Sequence, residues 1–272
     1  MESSEHPTPR KDMLCIIKIG GNVIDNASSL QEFLREFASL PSKKILVHGG
    51  GKIATSIGDK IGIASQYTNG RRITDTATID LVTMVYGGLV NKKIVAGLQA
   101  LRCNAIGLTG ADANALPAVK RPVQTIDFGW VGDVTASAID PSTWQRFLDN
   151  QLVPVVAPLT HDLQGHMLNT NADTIASVLA VALSKVYQVK LVYCFEKNGV
   201  LTDVNDGQTL INELTVAAYQ QLQESDRLFA GILPKIDNSF AAVHAGVSSV
   251  VIGNSANLSA LVLGESGTKI IA

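Results

Sequence analysis

The sequence has few of the features that mark a secreted, membrane-bound or nucleic-acid-binding protein. Only three of its 272 residues are cysteines, Cys15, Cys103 and Cys194, and no C-x-x-C pair occurs. The net charge is −2, from 22 basic and 24 acidic residues, without a run of like charges. Unpatterned cysteines indicate reduced thiols and a cytoplasmic protein. A nearly neutral chain has no electrostatic footprint for nucleic acid or a membrane surface, so we expect neither partner and instead a small-molecule substrate.

Long apolar segments are also missing. No apolar run reaches the about 18 residues that a membrane-spanning helix needs. The N-terminus, MESSEHPTPRKD, is polar and lacks the apolar region of a signal peptide. The sequence therefore predicts neither membrane insertion nor secretion. Its 46% hydrophobic residues are enough to fill the core of one large α/β domain or of two lobes.

Several catalytic motifs are absent around the stretch KKILVHGGGKIATSIG, which places three glycines between a predicted strand and a predicted helix. A Walker loop is excluded because Leu46 stands where a glycine is required and Ile53 follows Lys52 where a hydroxyl residue is required. The dinucleotide fingerprint lacks its third glycine, and no G-x-S-x-G elbow of an α/β-hydrolase occurs. The stretch is either a tight turn without a ligand or an anion site made by N–H groups at a helix start.

Short β-rich runs alternate with helical stretches along the chain. The runs are MLCIIKI, KILVHG, NAIGLTG, LVPVVAPL, KLVYCF and SSVVIG, and the helical stretches cover residues 28–40, 76–101, 173–187, 214–224 and 236–245. This alternation predicts an α/β protein in which helices cover both faces of a mostly parallel sheet. The segment PVQTIDFGWVGDVTASAID departs from the alternation, and its pattern around Gly129 and Gly132 predicts an antiparallel hairpin beside a pocket.

Two lysines stand where a cation is costly. Lys18 lies inside the apolar first strand, two residues before Gly20 and Gly21. Burying its ammonium group needs a counter-charge, and the carboxyl end of a parallel strand faces the crevice in which α/β sheets bind ligands. Lys235 follows Pro234 at a predicted helix start, where the helix dipole disfavours a cation unless an anionic ligand is present.

Two further clusters contain candidate polar groups. Asn169, Asn171 and Asp173 precede a strongly apolar helix, and three such residues exceed what one N-cap uses. Arg71 and Arg72 follow a glycine in YTNGRRITD, and an arginine can hold a carboxylate through two hydrogen bonds or simply be solvated in a loop.

These candidates together define a kind of chemistry. They comprise two lysines, one carboxylate, two glycine turns and an arginine, whereas no Ser-His-Asp set and no metal-ligand spacing occurs. His48 precedes the three glycines and is interpreted as structural. Such a set suits phosphoryl transfer, in which catalysis is mainly positioning and neutralisation of oxygen atoms.

The chain resembles the amino acid kinase family over about residues 14–270. The resemblance is carried by the order and spacing of KIGGN, VHGGGK, NGRRIT, LTGADAN, FGWVGDV, LNTNADT, GVLTD, AGILPK and SGTKI. Within this family the sequence is similar to the enzymes that use ATP to phosphorylate the γ-carboxylate of N-acetyl-L-glutamate, the second step of arginine biosynthesis. The resemblance implies an open three-layer αβα sandwich with a mostly parallel central sheet. It also implies an N-terminal lobe, residues 1–183, for acyl-glutamate binding and dimerisation, and a C-terminal lobe, residues 184–272, for ATP binding.

The same resemblance implies roles for individual residues. Lys18 and Lys235 would neutralise the transferring phosphoryl group, and Asp173 would hold both lysines in place. Main-chain N–H groups for phosphate oxygens would come from Gly20, Gly21 and Gly50. The acyl-glutamate, with its α-carboxylate on the arginine, would be held by Gly50, Gly51, Arg72 and Asn169. Adenine and ribose would lie near Glu196, Lys197, Asn198, Gly199, Val200 and Leu201, and near Arg227, Leu228 and Phe229. The implied cofactor is ATP with Mg²⁺ carried by the nucleotide phosphates, and no protein metal site is expected.

Three features depart from the family pattern. The usual Asp-Val-x-Gly turn of the nucleotide lobe reads EKNGVL, and Arg71 stands at an often apolar position. The C-terminus lacks the Glu-x-Phe-Thr pattern of the arginine-inhibited, hexameric branch. We therefore expect a homodimer and no feedback inhibition by arginine.

Alternative functions remain open. The same chemistry could act on N-succinyl-L-glutamate, for which Arg71 would offer a charge. NTNAD together with NGRRIT argues against a carbamate, glutamate 5- or uridylate kinase. A non-catalytic ligand sensor of the same fold is disfavoured by the presence of Lys18, Asp173 and Lys235 together.

Overall fold

The computed structural model of the protein describes residues 11–68, 70–203, 206–224 and 232–271. Strands and helices alternate through these residues. The strands are β1 Met13–Ile19, β2 Lys43–His48, β3 Gln66–Thr68, β4 Arg71–Ile73, β5 Ala105–Leu108, β6 Val119–Lys120, β7 Gly132–Asp133, β8 Val153–Val156, β9 Leu159–His161, β10 Met167–Asn169, β11 Gln188–Phe195, β12 Glu213–Thr215, β13 Ser249–Asn254 and β14 Thr268–Ile271. The α-helices are α1 Gly21–Ile24, α2 Ala27–Ser39, α3 Gly51–Ile61, α4 Thr76–Val82, α5 Asn91–Ala100, α6 Pro141–Asp149, α7 Ala172–Leu183, α8 Val216–Glu224, α9 Leu233–His244 and α10 Leu258–Leu263.

An eight-stranded sheet forms the centre of the described structure, in the order β12-β14-β13-β11-β1-β2-β8-β5. The pairs from β13 to β5 are parallel, whereas β14 is antiparallel to β13. The six mutually parallel strands are the six apolar runs of the sequence, so the predicted sheet is confirmed. The last two strands at one end of the sheet, β12 and β14, have only three and four residues, too few to show a pattern.

Alternating residues of β1 fill two separate cores. Leu14 and Ile16 pack with α7 and α9 on one face of the sheet. Cys15 and Ile17 pack with α2, α4 and α5 on the other. This is the three-layer αβα arrangement, and it follows from the two-residue period of a strand buried on both faces. The same alternation directs Lys18 towards the α7 and α9 side at the carboxyl end of β1.

The segment that was predicted as a hairpin, residues 122–140, contributes only β7, and its antiparallel partner β6 lies just before the segment. β6 and β7 pair over two residues each, and Arg121 forms an ion pair with Asp133 at 2.5 Å. The connecting loop returns to the β3–β4 hairpin, where Thr74 accepts a hydrogen bond from the Trp130 N–H at 2.6 Å. A cavity of about 580 Å³ lies beside this loop, and Arg71 and Arg121 are among its lining residues.

The predicted long helix forms a continuous helical stretch, Thr76–Ala100, in which a π-helical segment, Thr83–Val90, joins α4 to α5. By length and composition alone it would suffice to cross a membrane. However, 44% of its most apolar segment is buried inside the protein. A core helix of a globular protein can have the same length and composition. Two of its apolar side chains, Met84 and Leu89, are 58% and 38% exposed.

Candidate active site

Two lysines from distant parts of the chain meet at one carboxylate. The Nζ of Lys18, at the end of β1, lies 2.7 Å from Oδ1 of Asp173. The Nζ of Lys235, in the first turn of α9, lies 2.8 Å from Oδ2 of the same residue. The three side chains are only 9%, 15% and 14% exposed for Lys18, Lys235 and Asp173. Because each oxygen takes a different lysine, the carboxylate holds both ammonium groups at once.

The three polar residues at the start of α7, of which Asp173 lies in its first turn, have three separate tasks. Asn171 is the N-cap, since its Oδ1 accepts hydrogen bonds from the N–H groups of Asp173 and Thr174 at 2.8 and 3.0 Å. Asn169, on β10, donates from Nδ2 to Oγ1 of Thr74 at 3.0 Å. The carboxylate of Asp173 is therefore not needed for capping and is available to the lysines.

The charge of the cluster is set by its surroundings. Burial alone would raise the pKa of Asp173, but the charges of Lys18 and Lys235 outweigh burial and hold this pKa at about 2. Asp173 is therefore ionised at neutral pH and cannot serve as a general base there. Two ammonium groups against one carboxylate leave a net charge of about +1 in a mostly buried place, which an anionic ligand would compensate.

The two glycine turns lie side by side at the carboxyl edge of the sheet. β1 and β2 pair up to Ile19 and His48, and the Gly49 N–H donates to the carbonyl of Ile19 at 3.1 Å. The helices that follow, α1 and α3, have Gly20 and Gly50 as N-caps, with no side-chain hydrogen bond at either cap. First-turn N–H groups without a cap suit a phosphate or carboxylate.

Gly50 is required for two reasons. Its φ is +150°, a conformation that residues with a Cβ rarely adopt. A Cβ at this position would also lie 3.0 Å from the ring of Tyr86. Because Gly50 has no side chain, α3 can begin close to the π-helical segment that contains Tyr86.

Arg72 approaches the second glycine turn from the β3–β4 hairpin. It is 7% exposed, and its Nη2 donates to the carbonyl of Gly51 at 2.9 Å and to Oγ1 of Thr55 at 3.0 Å. A further hydrogen bond goes to the hydroxyl of Ser65, and the guanidinium lies 4.8 Å from the ring centroid of Tyr67. In the described part of the chain no carboxylate pairs with Arg72. A buried guanidinium without a counter-ion fits a carboxylate of a ligand.

The residues predicted to contact adenine and ribose follow β11. Glu196 accepts a hydrogen bond from the side chain of Asn22, and Asn254 donates to Oδ1 of Asn198 at 3.3 Å. Glu196 and Asn198 are exposed and Lys197 is half-buried, whereas Gly199, Val200 and Leu201 are buried. The side chain of Val200 belongs to the core beside α7 and α9. Arg227, Leu228 and Phe229 lie outside the described residues.

Sequence reasoning missed the polar residues that surround Arg72. Thr55 belongs to α3, whereas Ser65 and Tyr67 lie just before and within β3, and the Tyr67 hydroxyl is 2.9 Å from the Thr55 hydroxyl. These contacts depend on how the β3–β4 hairpin folds back onto α3, and no local pattern shows that. Asn22 had a weak signal, because it directly follows the first glycine pair.

His48 is structural, as predicted. Its Nδ1 lies 2.7 Å from the carbonyl of Gly49 and its Nε2 lies 3.1 Å from Nδ2 of Asn91. Asn91 uses its other amide hydrogen on the carbonyl of Val155 at 2.9 Å. The histidine must therefore donate from Nδ1 and accept at Nε2, which is its neutral form. Burial is the main cause that lowers the pKa of His48 to about 4, with a smaller contribution from Lys92.

We expect this histidine to destabilise the protein in acid. The pKa of His48 falls from 6.5 in the unfolded chain to about 4 in the folded one. Between these values the unfolded chain binds the extra proton, so the free energy of unfolding decreases as the pH falls, by about 3 kcal/mol over the whole window. Urea unfolding at pH 7 and pH 5 measures it, with His48→Gln as the control that keeps an acceptor for Asn91. An equal pH dependence in both proteins would contradict this prediction.

Comparison with known proteins identifies the class. The sequence profile of the amino acid kinase family matches residues 13–254, and the chain belongs to this family. It is 53% identical to the acetylglutamate kinase of Cytophaga hutchinsonii, over 95% of this chain and 98% of that protein. A solved Streptococcus mutans structure is 27% identical, with a TM-score of 0.78 over 95% of this chain and 98% of that one.

A more distant structure has the same fold. The N-acetylglutamate synthase from Neisseria gonorrhoeae, complexed with coenzyme A and N-acetyl-glutamate, is 23% identical with a TM-score of 0.79. The match covers 97% of this chain and 60% of that one. The predicted family and the predicted αβα sandwich are confirmed.

Proposed function

We propose that this protein transfers the γ-phosphoryl group of ATP to the γ-carboxylate of N-acetyl-L-glutamate, in the second step of arginine biosynthesis. The observation that carries the proposal is the buried cluster of Lys18, Asp173 and Lys235 beside two uncapped glycine turns. Its positive charge and N–H groups suit the oxygen atoms of a phosphoryl group in transfer. The 53% identity to an enzyme named acetylglutamate kinase supports the choice of acceptor.

The acceptor is bound by the N-terminal part of the site. Arg72 binds its α-carboxylate, for which the hydroxyl groups of Thr55 and Ser65 orient the guanidinium. Asn169 lies beside the same hairpin through its hydrogen bond to Thr74, and we assign it to the substrate as well. Gly50 and Gly51 give the γ-carboxylate access to the main chain.

The transfer needs no nucleophile from the protein. A γ-carboxylate oxygen of the substrate attacks the γ-phosphorus, the bond from phosphorus to the ADP oxygen breaks, and ADP leaves with the electron pair. No proton is transferred, because the attacking carboxylate is already ionised. Lys18 and Lys235 neutralise the oxygen atoms of the moving phosphoryl group, and the N–H groups of Gly20, Gly21 and Gly50 donate to them. Asp173 keeps the two ammonium groups in position.

The nucleotide is assigned to the C-terminal part of the chain. We propose two lobes, residues 1–183 and 184–272, and the end of α7 at Leu183 supports this boundary. Adenine and ribose are assigned to residues 196–201, which follow β11. Mg²⁺ bound to the phosphates would neutralise their charge, and it usually keeps several waters and needs few protein ligands. Among the described residues no group of three acidic, histidine or cysteine side chains converges.

We further propose a cytoplasmic homodimer. The apolar side chains of Met84 and Leu89 are exposed on the helical stretch Thr76–Ala100, and a second copy packed there would cover them. Sedimentation equilibrium tests this assembly, and a mass of one chain at micromolar concentration would contradict it.

The proposed activity is tested by trapping the product. Purified protein is incubated with ATP, Mg²⁺ and hydroxylamine, which converts an acyl phosphate into a coloured hydroxamate. We expect hydroxamate with N-acetyl-L-glutamate or N-succinyl-L-glutamate and none with L-glutamate, and no release of ADP with carbamate or UMP. A protein that binds the acylated amino acid but forms no hydroxamate would be a ligand sensor, and the proposal would fail.

N-succinyl-L-glutamate is a second candidate acceptor. Arg71 neighbours Arg72 on β4, so the two side chains point to opposite faces of the strand. Arg71 is exposed and lines the cavity of about 580 Å³, where Arg121 is already engaged by Asp133. A succinyl group would add a third carboxylate to the α- and γ-carboxylates, and Arg71 has no carboxylate partner within the described residues.

We expect Arg71→Leu to lower kcat/KM for N-succinyl-L-glutamate by about 10-fold or more and to leave N-acetyl-L-glutamate unaffected. This is the loss expected for one hydrogen bond between charged groups. Arg35→Leu, an exposed arginine on α2, is the matched control. Equal effects on both substrates, or no succinyl activity in the parent protein, would remove this assignment.

A further inference from the structure

Lys52 carries a charge that the fold does not account for. It is the second residue of α3, where the helix dipole disfavours a cation. Its nearest carboxylate is Asp25, and the Nζ lies 3.8 Å from Oδ2, which is longer than a hydrogen bond. The Lys52 side chain is 74% exposed. A loose contact of this kind contributes little to stability, so the position of this lysine calls for another partner.

The stem of Lys52 reaches from the second glycine turn to the first. Its Cδ lies 3.7 Å from the point that a Cβ on Gly21 would occupy. At the neighbouring glycine, Gly20, an added Cβ would lie 3.6 Å from the Nζ of Lys18. Consecutive Cα atoms are about 3.8 Å apart, so the two lysines approach the same turn at adjacent positions.

The side chains of Asp25 and Lys52 both lie against Gly21. A Cβ at Gly21 would lie 3.0 Å from Oδ2 of Asp25 as well as against the stem of Lys52. The contact with Asp25, at 3.8 Å, is loose and leaves the lysine side chain free to move beside the glycine turn. Four rotatable bonds allow the ammonium group to turn towards an anion bound there.

We propose that Lys52 is a third phosphate-binding cation of the site. It exchanges its contact with Asp25 for an oxygen of the nucleotide that lies outside the transferring phosphoryl group. This inference rests on the proposed phosphoryl transfer from ATP. Lys18 and Lys235 are buried and act on the moving group, whereas Lys52 is exposed and binds the nucleotide equally in the ground state and the transition state. Its contribution is therefore to nucleotide affinity rather than to kcat.

Calorimetric titration with a non-hydrolysable ATP analogue and Mg²⁺ tests the inference directly. We expect Lys52→Met to weaken binding of the analogue by about 10-fold or more, as for one lost hydrogen bond to a charged group. Lys52→Arg should restore most of the affinity, since it keeps the charge. Lys60→Met, an exposed lysine in the last turn of the same helix, is the matched control and should bind normally.

Kinetics separate this role from the alternatives. In the hydroxamate assay, Lys52→Met should raise the KM for ATP by a similar factor, with kcat and the acceptor KM within about twofold of the parent. Analogue binding equal to that of Lys60→Met, or a loss confined to the acceptor KM, would overturn the inference. If the parent protein forms no hydroxamate, the proposed function fails instead, and the calorimetric result still decides whether Lys52 binds a nucleotide phosphate.

Discussion

Lys18→Ala and Lys235→Ala should each lower kcat by about 100-fold or more while the two KM values change little. Each ammonium group is fixed by Asp173, at 2.7 and 2.8 Å, before any substrate binds. A fixed charge that meets its oxygen atoms mainly in the transition state contributes to kcat, and loss of one such donor costs on the order of 100-fold. Steady-state kinetics with hydroxamate detection, at saturating acceptor and nucleotide, measure the effect.

A buried lysine elsewhere in the sheet provides the control. Lys44, on β2, is 6% exposed and donates to the carbonyls of Ala38 and Leu40 at 2.8 and 2.7 Å. Lys44→Ala removes a comparable buried charge from the other end of the strands, so it should affect stability but not kcat of the folded protein. If the kcat values of Lys18→Ala and Lys235→Ala equal that of Lys44→Ala, the role assigned to Lys18 and Lys235 is wrong.

Part of the site was predictable from the sequence, because burying an unpaired charge is energetically unfavourable. Lys18 in an apolar strand and Lys235 at a helix start both conflict with their local environment, and both lie at one carboxylate. The excess of polar residues near the start of α7 similarly indicated that one cap could not use them all, and the structure assigns the cap to Asn171. A charged residue at a position that disfavours charge can be recognised from the sequence alone, because this depends only on the alternation of a strand and on the position in a helix.

Other parts depended on tertiary contacts and were not predictable. The partners of Arg72 come from α3 and from the segment at β3, which become neighbours only when the hairpin folds back. Lys52 entered the sequence analysis only as part of an incomplete Walker pattern, because its distance to Gly21 requires the pairing of β1 with β2. The short strands β12 and β14, at one end of the sheet, are defined by pairing with their neighbours rather than by composition.

Asp173→Asn should keep the fold and lose about 100-fold or more of kcat. The amide has nearly the shape of the carboxylate, and Asn171 caps α7 in either case. One end of the amide, however, is an NH₂ group, which cannot accept a hydrogen bond from a lysine and would face an ammonium group. One lysine is then released from its position, and the site carries two positive charges without their carboxylate. Nucleotide binding should persist or strengthen in this more positive site, so the loss appears in kcat.

The control and the pH profile distinguish orientation of the lysines from proton transfer by Asp173. Asp140→Asn changes another aspartate at a helix start, the N-cap of α6, and should alter neither kcat nor the melting temperature by much. Because the pKa of Asp173 is about 2, the parent enzyme should show no loss of kcat from this group between pH 8 and pH 5. A general base would instead titrate near the working pH. An Asp173→Asn protein with the kcat of Asp140→Asn would show that the carboxylate is dispensable, and the two lysines would then be positioned by their own helices and strands alone.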